Sequence, residues 1–425
     1  MLDIQFIRDH AKEVKQAVTD KGLTKTIDID ALLVLDTKRR LLLRETELLR
    51  AKRNEVSDIV AREKDPEKKK RLITDASKVK GELQGKEETF KEVTRQYDEM
   101  MIWVPQIPAA DVPKWKSEAD NVVLRKEGTP KQFDFPVQDH ISLGENLDLL
   151  DIERGAKLAG FRGYFLKNEG LMLSQAILDY ALRFMMKQGF TPMHVPWMVK
   201  PEYFEGTGYF PWGAEDHFTV QDNLHLIGTA EVSLTAYYAN ETLKLSDLPM
   251  KLTGISPCFR REVGSYGKDV RGVIRVHEFM KVEQVVLLPA DEELTRTWHD
   301  KMLGFSEQIL KDLELPYQVL LMCTADMGAG QRKKYDIETW FPAQQKYRET
   351  HSDSYFLDFQ SRRLNLRYKD TDGTLKYVYT INNTVAATPR LLAAVLENYQ
   401  QQDGSVVVPN ILREFVGKDT IHPKG

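Results

Sequence analysis

Arg260 and Glu262 stand two residues apart at the entry of a stretch that could handle a nucleotide. The residues before it, Pro257-Cys258-Phe259, and those after it, Glu278 to Leu287, alternate as strands do. Between them Gly264 to Gly272 is rich in glycine, serine and basic side chains. The pattern predicts a hairpin with a long, basic, glycine-hinged loop. Period-two spacing predicts Arg260 and Glu262 on one face of the entering strand. A guanidinium there can clamp a phosphate bidentately, and a carboxylate can accept from an adenine amino group. The alternative is an exposed hairpin with cross-strand ion pairs.

A second candidate is Thr229-Ala230-Glu231, between Leu226-Ile227 and a helical run of Val232, Leu234, Tyr237 and Tyr238. A hydroxyl and a carboxylate two apart could hold a small amine, or they could be a helix cap. Neither a Gly-x-x-x-x-Gly-Lys loop nor a Gly-x-Gly-x-x-Gly turn after a strand occurs. Nucleotide binding on a sheet platform is therefore preferred to a P-loop or dinucleotide fold.

These residues need elements to position them. Leu173, Ala176, Ile177, Tyr180, Ala181 and Phe184 follow a helical pattern that stops at Gly189, and a strand-like run ends at Pro196. Earlier, Leu35, Leu42, Leu49 and Val56 recur every seventh residue, and Leu72, Ala76, Val79, Leu83, Phe90, Val93, Tyr97 and Met100 follow a 3/4 spacing. Lys64-Asp65-Pro66 marks a turn between them, so an antiparallel coiled-coil hairpin is predicted over about 29–101. The stretch from Lys38 to Arg95 has 18 basic and 12 acidic residues, with Lys68-Lys69-Lys70-Arg71 at the tip and Lys38-Arg39-Arg40 on the flank. A local positive excess on a chain of net charge −4 favours a phosphate-backbone partner; a dimerisation coil is the alternative. Closely spaced prolines, Pro108 and Pro113, end the arm.

Length and composition set the bounds. A chain of 425 residues allows two to three domains. The sequence has no apolar run of membrane-spanning length and no basic-then-apolar leader, so a cytoplasmic protein without a membrane segment is expected. Two cysteines, Cys258 and Cys323, are too few for a disulfide framework or a zinc site.

Phe-Arg-x-Glu, the long loop and the following Arg-x-His-x-Phe-x-Lys-x-Glu resemble motif 2 of class II aminoacyl-tRNA synthetases. The loop Gly-Ser-Tyr-Gly-Lys-Asp-x-Arg-Gly is similar to that of the seryl-tRNA synthetase family. The likeness runs from Met1-Leu-Asp-Ile to Val406-Val-Val-Pro-Asn-Ile-Leu-Arg. It implies an α+β fold: an N-terminal tRNA-binding domain with the helical hairpin (1–108), a linker (109–133), and a catalytic domain (134–425) on a mixed, mainly antiparallel sheet flanked by helices. Motif 1, a dimer-interface signature, falls around 189–196, motif 2 around 257–284 and motif 3 around 382–400.

The resemblance also assigns roles. Arg260 and Arg390 are the catalytic arginines, on the α- and γ-phosphates. ATP binding falls to Arg260, Arg261, Glu262, Val276, His277, Glu278, Phe279 (the adenine-stacking ring), Glu349, Thr350, His351, Ser352 and Arg390. Glu349 and Ser352 match a Glu-x-x-Ser motif that holds Mg²⁺ on the phosphates. Serine binding falls to Thr229, Ala230, Glu231, Arg260, Glu283, Asn382 and Thr384. Lys268 and Arg271 in the loop, and Lys68, Lys69, Lys70 and Arg71 on the arm, are expected at the tRNA. The implied activity is ATP-dependent activation of L-serine and transfer to tRNA(Ser), with tRNA(Sec) as a further acceptor. The implied assembly is a homodimer binding tRNA across subunits, with ATP and Mg²⁺ as cofactors and no zinc. Loading of a non-tRNA acceptor and an inactive tRNA-binding dimer are the alternatives, and the long arm and the retained arginines argue against them. Two positions depart from the family pattern: Asp353, within Ser352-Asp353-Ser354-Tyr355-Phe356, and Asn383, where glycine is usual. Asp353 is expected to be a surface residue, with an effect on the metal as the alternative.

Overall fold

The computed structural model describes residues 1–114, 117–264 and 271–423. It divides into two compact units: residues 3–105, and residues 1–2 with 106–425.

In the first unit two short helices, α1 (Ile4–Asp9) and α2 (Ala11–Asp20), precede α3 (Ile29–Arg62) and α4 (Pro66–Met101). Asp28 caps α3 by accepting from the amides of Asp30 and Ala31. Asp65 caps α4 in the same way, and Pro66 occupies the first turn, where no amide hydrogen is needed. The expected turn therefore falls at 63–65. Leu32, Leu42, Val79, Leu83, Val93 and Tyr97 are buried along the seam. Asp36 breaks the apolar pattern. It is fully buried, and Arg8 at 3.2 Å and Arg39 at 3.4 Å compensate it. Arg39 also lies 4.3 Å over the Tyr97 ring, so this member of the expected outer basic flank faces inward.

In the second unit, among the described residues, eight strands form one sheet: β1 (Val122–Glu127), β2 (Thr191–His194), β3 (Met250–Phe259), β4 (Glu278–Leu288), β5 (Tyr317–Leu321), β6 (Lys333–Phe341), β7 (Lys346–Leu357) and β8 (Tyr379–Thr388). Their order is β1-β5-β6-β7-β8-β4-β3-β2. All neighbours are antiparallel except β2 and β3, which run parallel. The mixed, mainly antiparallel sheet is the one predicted. Helix α5 (Asn168–Lys187) leads into β2 through Gly189 at φ +80°, where a Cβ would also meet the Lys251 ammonium at 2.6 Å.

Alternation along β4 builds two layers. Val282, Val286 and Leu288 enter one core with α5, α7 (Glu292–Asp312) and α8 (Arg390–Tyr399). Val285 and Leu287 enter a second core on the opposite face, with Ile227 and with Val232 and Leu234 of α6 (Glu231–Thr235). Phe279, Lys281 and Glu283 continue this second face, and there the packing gives way to a cavity.

Two expectations are corrected. The strand β3 ends at Phe259, so Arg260 and Glu262 follow it rather than sharing a strand face, and Glu262 takes a left-handed φ of +56°. Asp353 is not at the surface; it is buried to 1% exposure on β7.

Candidate active site

The cavity is lined from β4, β7, β8 and the segments entering and leaving the β3–β4 hairpin. Its two ends differ in chemistry.

One end is built from carboxylates and one ammonium. Glu231 begins α6 and is buried to 3% exposure. Tyr209 donates to its Oε2 at 2.6 Å, Asn382 to the same oxygen at 2.9 Å, and Gln360 to Oε1 at 2.8 Å. Burial, with Glu283 nearby, pushes the Glu231 carboxyl up to about 7 against the pull of these donors and of Lys281. Asn382 also donates to Glu283 Oε1 at 3.3 Å. Lys281 pairs with Glu283 and donates to Thr229 Oγ1 at 2.7 Å. Thr229 in turn donates to Glu283 at 3.3 Å and accepts from the Glu231 amide at 3.2 Å. Thr229 thus holds the first turn of α6 through the Glu231 amide and is not among the residues that line the cavity.

The other end is cationic and more open. Arg260 donates to the Gly228 carbonyl at 3.3 Å, and its guanidinium lies 5.2 Å over the Phe279 ring. Arg390 opens α8, donating to the Ile274 carbonyl at 2.9 Å and the Glu349 carbonyl at 2.6 Å. The Glu349 side chain is 49% exposed. Its partial burial works upward, but Arg390, Lys334 and Arg260 hold its carboxyl down at about 2. Glu262 pairs with Arg275. Ser352 hydrogen-bonds Asp336, which burial pushes up to about 7 although Lys334 sits 2.9 Å away. Glu349 and Ser352 both line the cavity and offer hard oxygen donors, a set that fits Mg²⁺ shared with phosphate and water.

The structure thus gathers Arg260, Glu262, Val276, Phe279, Glu349, Thr350, Ser352 and Arg390 with Glu231, Glu283, Asn382 and Thr384 around one cavity. Other candidates lie outside its wall. Arg261 donates to the Glu215 carbonyl at 2.9 Å. His277 faces the Arg260 carbonyl at 2.9 Å. His351 reaches the Val385 carbonyl at 3.1 Å. Glu278 is exposed and Ala230 is buried. Arg271 is exposed; Lys268 lies outside the described residues. Lys68, Lys70 and Arg71 are exposed near the start of α4, with Lys69 half-buried.

Sequence reasoning gave no role to Lys281, Tyr209 or Gln360. For Lys281 a signal existed, because it precedes Glu283 by two on one strand. Tyr209 and Gln360 arrive from remote segments with no such mark. The two departures also find their place. Asp353 and Asn383 are register partners on β7 and β8, and Gln284 is the partner of Asn383 on β4. This row faces α7, not the cavity: Asn383 donates to the Met302 carbonyl and Ser306, Gln284 to the Met302 carbonyl, and His299 lies beside Asp353.

The chain matches two family models. One describes the tRNA synthetase class II core domain (G, H, P, S and T), over residues 216–399. The other describes the seryl-tRNA synthetase N-terminal domain, over residues 1–108. A serine--tRNA ligase of Deinococcus radiodurans is 43% identical over 98% of both chains. One from Thermobifida fusca is 42% identical over 100% of this chain and 99% of its own. The structure is similar to that of seryl-tRNA synthetase from Pyrococcus horikoshii complexed with ATP, with a TM-score of 0.92 and 37% identity over the full length of both.

Proposed function

The chain belongs to the seryl-tRNA synthetase family of class II synthetases, and we propose that the cavity described above is where its serine--tRNA ligase activity takes place. Serine, ATP and tRNA are its substrates, and Mg²⁺ is its metal cofactor. One observation carries the assignment of the cavity: a buried carboxylate end and an arginine end meet in a single cleft, as an amino acid joined to a nucleotide requires.

The serine ammonium is assigned to Glu231 and the hydroxyl to Glu283, Asn382 and Thr384. A hydroxyl held by buried polar groups excludes alanine, because an unmatched buried partner is costly. No zinc ligand is needed for this recognition. Arg260 orients the serine carboxylate against the α-phosphate. An oxygen of that carboxylate attacks in line; a phosphorus–oxygen bond forms to serine, and the bond to the β-phosphate oxygen breaks. Pyrophosphate departs with the electron pair, and seryl-adenylate remains. No general base is required, so catalysis rests on positioning and charge neutralisation. Arg260 stabilises the charge developing at the α-phosphate and Arg390 holds the γ-phosphate. Glu349 and Ser352 would hold Mg²⁺, which would supply further charge neutralisation when bound. The terminal ribose hydroxyl of tRNA then takes the acyl group and AMP leaves.

We assign the exposed basic residues of the arm to the tRNA backbone. On α5 and just after β2, Leu171, Met172, Met186, Trp197 and Met198 are exposed, and these apolar side chains support a homodimer through motif 1. Buried, unpaired Cys258 and Cys323 fit a cytoplasmic protein, and no described helix is long and apolar enough to cross a membrane. The test is ATP–pyrophosphate exchange with each amino acid in turn. Serine is expected to support it, and Glu231→Gln to raise the serine KM by about 10–100-fold, the loss of one charge-assisted contact. An unchanged serine KM would remove Glu231 from the site.

A further inference from the structure

The amino-acid end holds two buried carboxylates but one buried ammonium. Lys281 and Glu283 project from the same face of β4, with side chains 6% and 1% exposed. The Lys281 ammonium is directed at Glu283, at Thr229 Oγ1 (2.7 Å) and at Thr384 Oγ1 (3.4 Å). An ammonium has three donors, so this set uses all of them. The donors to Glu231 are of another kind: a phenol and two carboxamides, all neutral. A buried charge is tolerated where an opposite charge meets it. Glu283 is therefore already matched, and Glu231 awaits a cation. Arg260, at the far side, belongs to the carboxylate and phosphate.

We propose that Lys281 is a specificity-determining residue: it fills the cation position beside Glu283, so the pocket accepts an amino acid with one ammonium and a neutral side-chain donor. The amino acid it excludes is 2,3-diaminopropionate, the near-isostere of serine in which a second ammonium replaces the hydroxyl. That ammonium would face Lys281 across the same carboxylate. Like charges so placed cost on the order of 10²–10³-fold in affinity. Size selection cannot supply this discrimination, since the two side chains have nearly the same volume. The proposal rests on reading this end as the serine site.

The experiment compares serine with 2,3-diaminopropionate in pyrophosphate exchange. The wild type should favour serine by about 10²-fold or more. Lys281→Met keeps the length and removes the charge; it should weaken serine and strengthen diaminopropionate, moving the ratio by about 10²-fold. Lys281→Arg should keep the serine preference. A Lys281→Met enzyme with measurable exchange and an unchanged ratio overturns the proposal. If that variant does not fold, or is inactive with both amino acids, the wild type decides. Its preference for serine should shrink as pH rises through the titration of the diaminopropionate side-chain amine, and a flat ratio overturns the proposal. Glu231→Gln separates the two readings: an unchanged serine KM there breaks the site assignment, not the role of Lys281.

Discussion

At the amino-acid end of the cavity Glu231 and Glu283 are 3% and 0% exposed and already bonded to protein donors; at the phosphate end Glu349 is half-exposed and Arg390 reaches backbone carbonyls. The first arrangement is a finished mould. Its polar groups hold one another in place, so a ligand must match a preset pattern. The second is a set of charges kept ionised and only partly committed, suited to a polyanion that brings its own metal. Selectivity is thus expected from the first region and rate from the second.

The largest test of this division is Arg260→Ala. Loss of one charge-stabilising donor should lower exchange turnover by about 10²–10³-fold while the fold, by circular dichroism and melting, is kept. Exchange near the wild-type rate would show that the phosphate end does not govern rate.

Glu283→Ala addresses the other region. It should raise the serine KM by about 10–100-fold and the ATP KM far less. Parallel changes in both would dissolve the distinction between the ends.

A pH series sharpens it further. Glu231, pushed up to about 7 by burial, is protonated below that pH, and the protonated form cannot pair with an ammonium. The serine KM should therefore rise as pH falls through about 7, by at most tenfold per unit. Glu349, held at about 2, stays ionised across this range, so its contribution to ATP binding should not follow.

The smallest effect is expected on the covered face of the sheet. Burial raises the Asp353 carboxyl well above the ordinary range, and its oxygens have no hydrogen-bond donor among the described residues. The folded state then holds a proton that the unfolded chain releases, so stability falls as pH rises from the ordinary carboxylate range towards the raised value. Asp353→Asn should remove that slope and raise the melting temperature at neutral pH by a few degrees, about 1 kcal/mol. Exchange should change by less than about twofold, since surface and cavity contacts are untouched. A large loss of activity would couple the α7 face to the cavity.

Much of this was legible in the chain. The heptads, the Lys64-Asp65-Pro66 turn signal and the alternation from Glu278 to Leu287 pointed to the hairpin and the strands, because local backbone periodicity decides which side chains share a face. The motif residues Arg260, Glu349 and Arg390 were identified through the resemblance of their segments to the family's motifs. Only tertiary structure decided that Tyr209, Gln360 and Asn382 meet on Glu231, since they come from segments more than 20 residues apart. It also decided that Asp353 is buried beside Asn383, and that Lys281 satisfies Glu283 before any substrate arrives. Burial and charge compensation are properties of assembled surfaces. A sequence shows which side a residue faces on its own strand, but the neighbours that neutralise or desolvate it exist only once remote segments have packed.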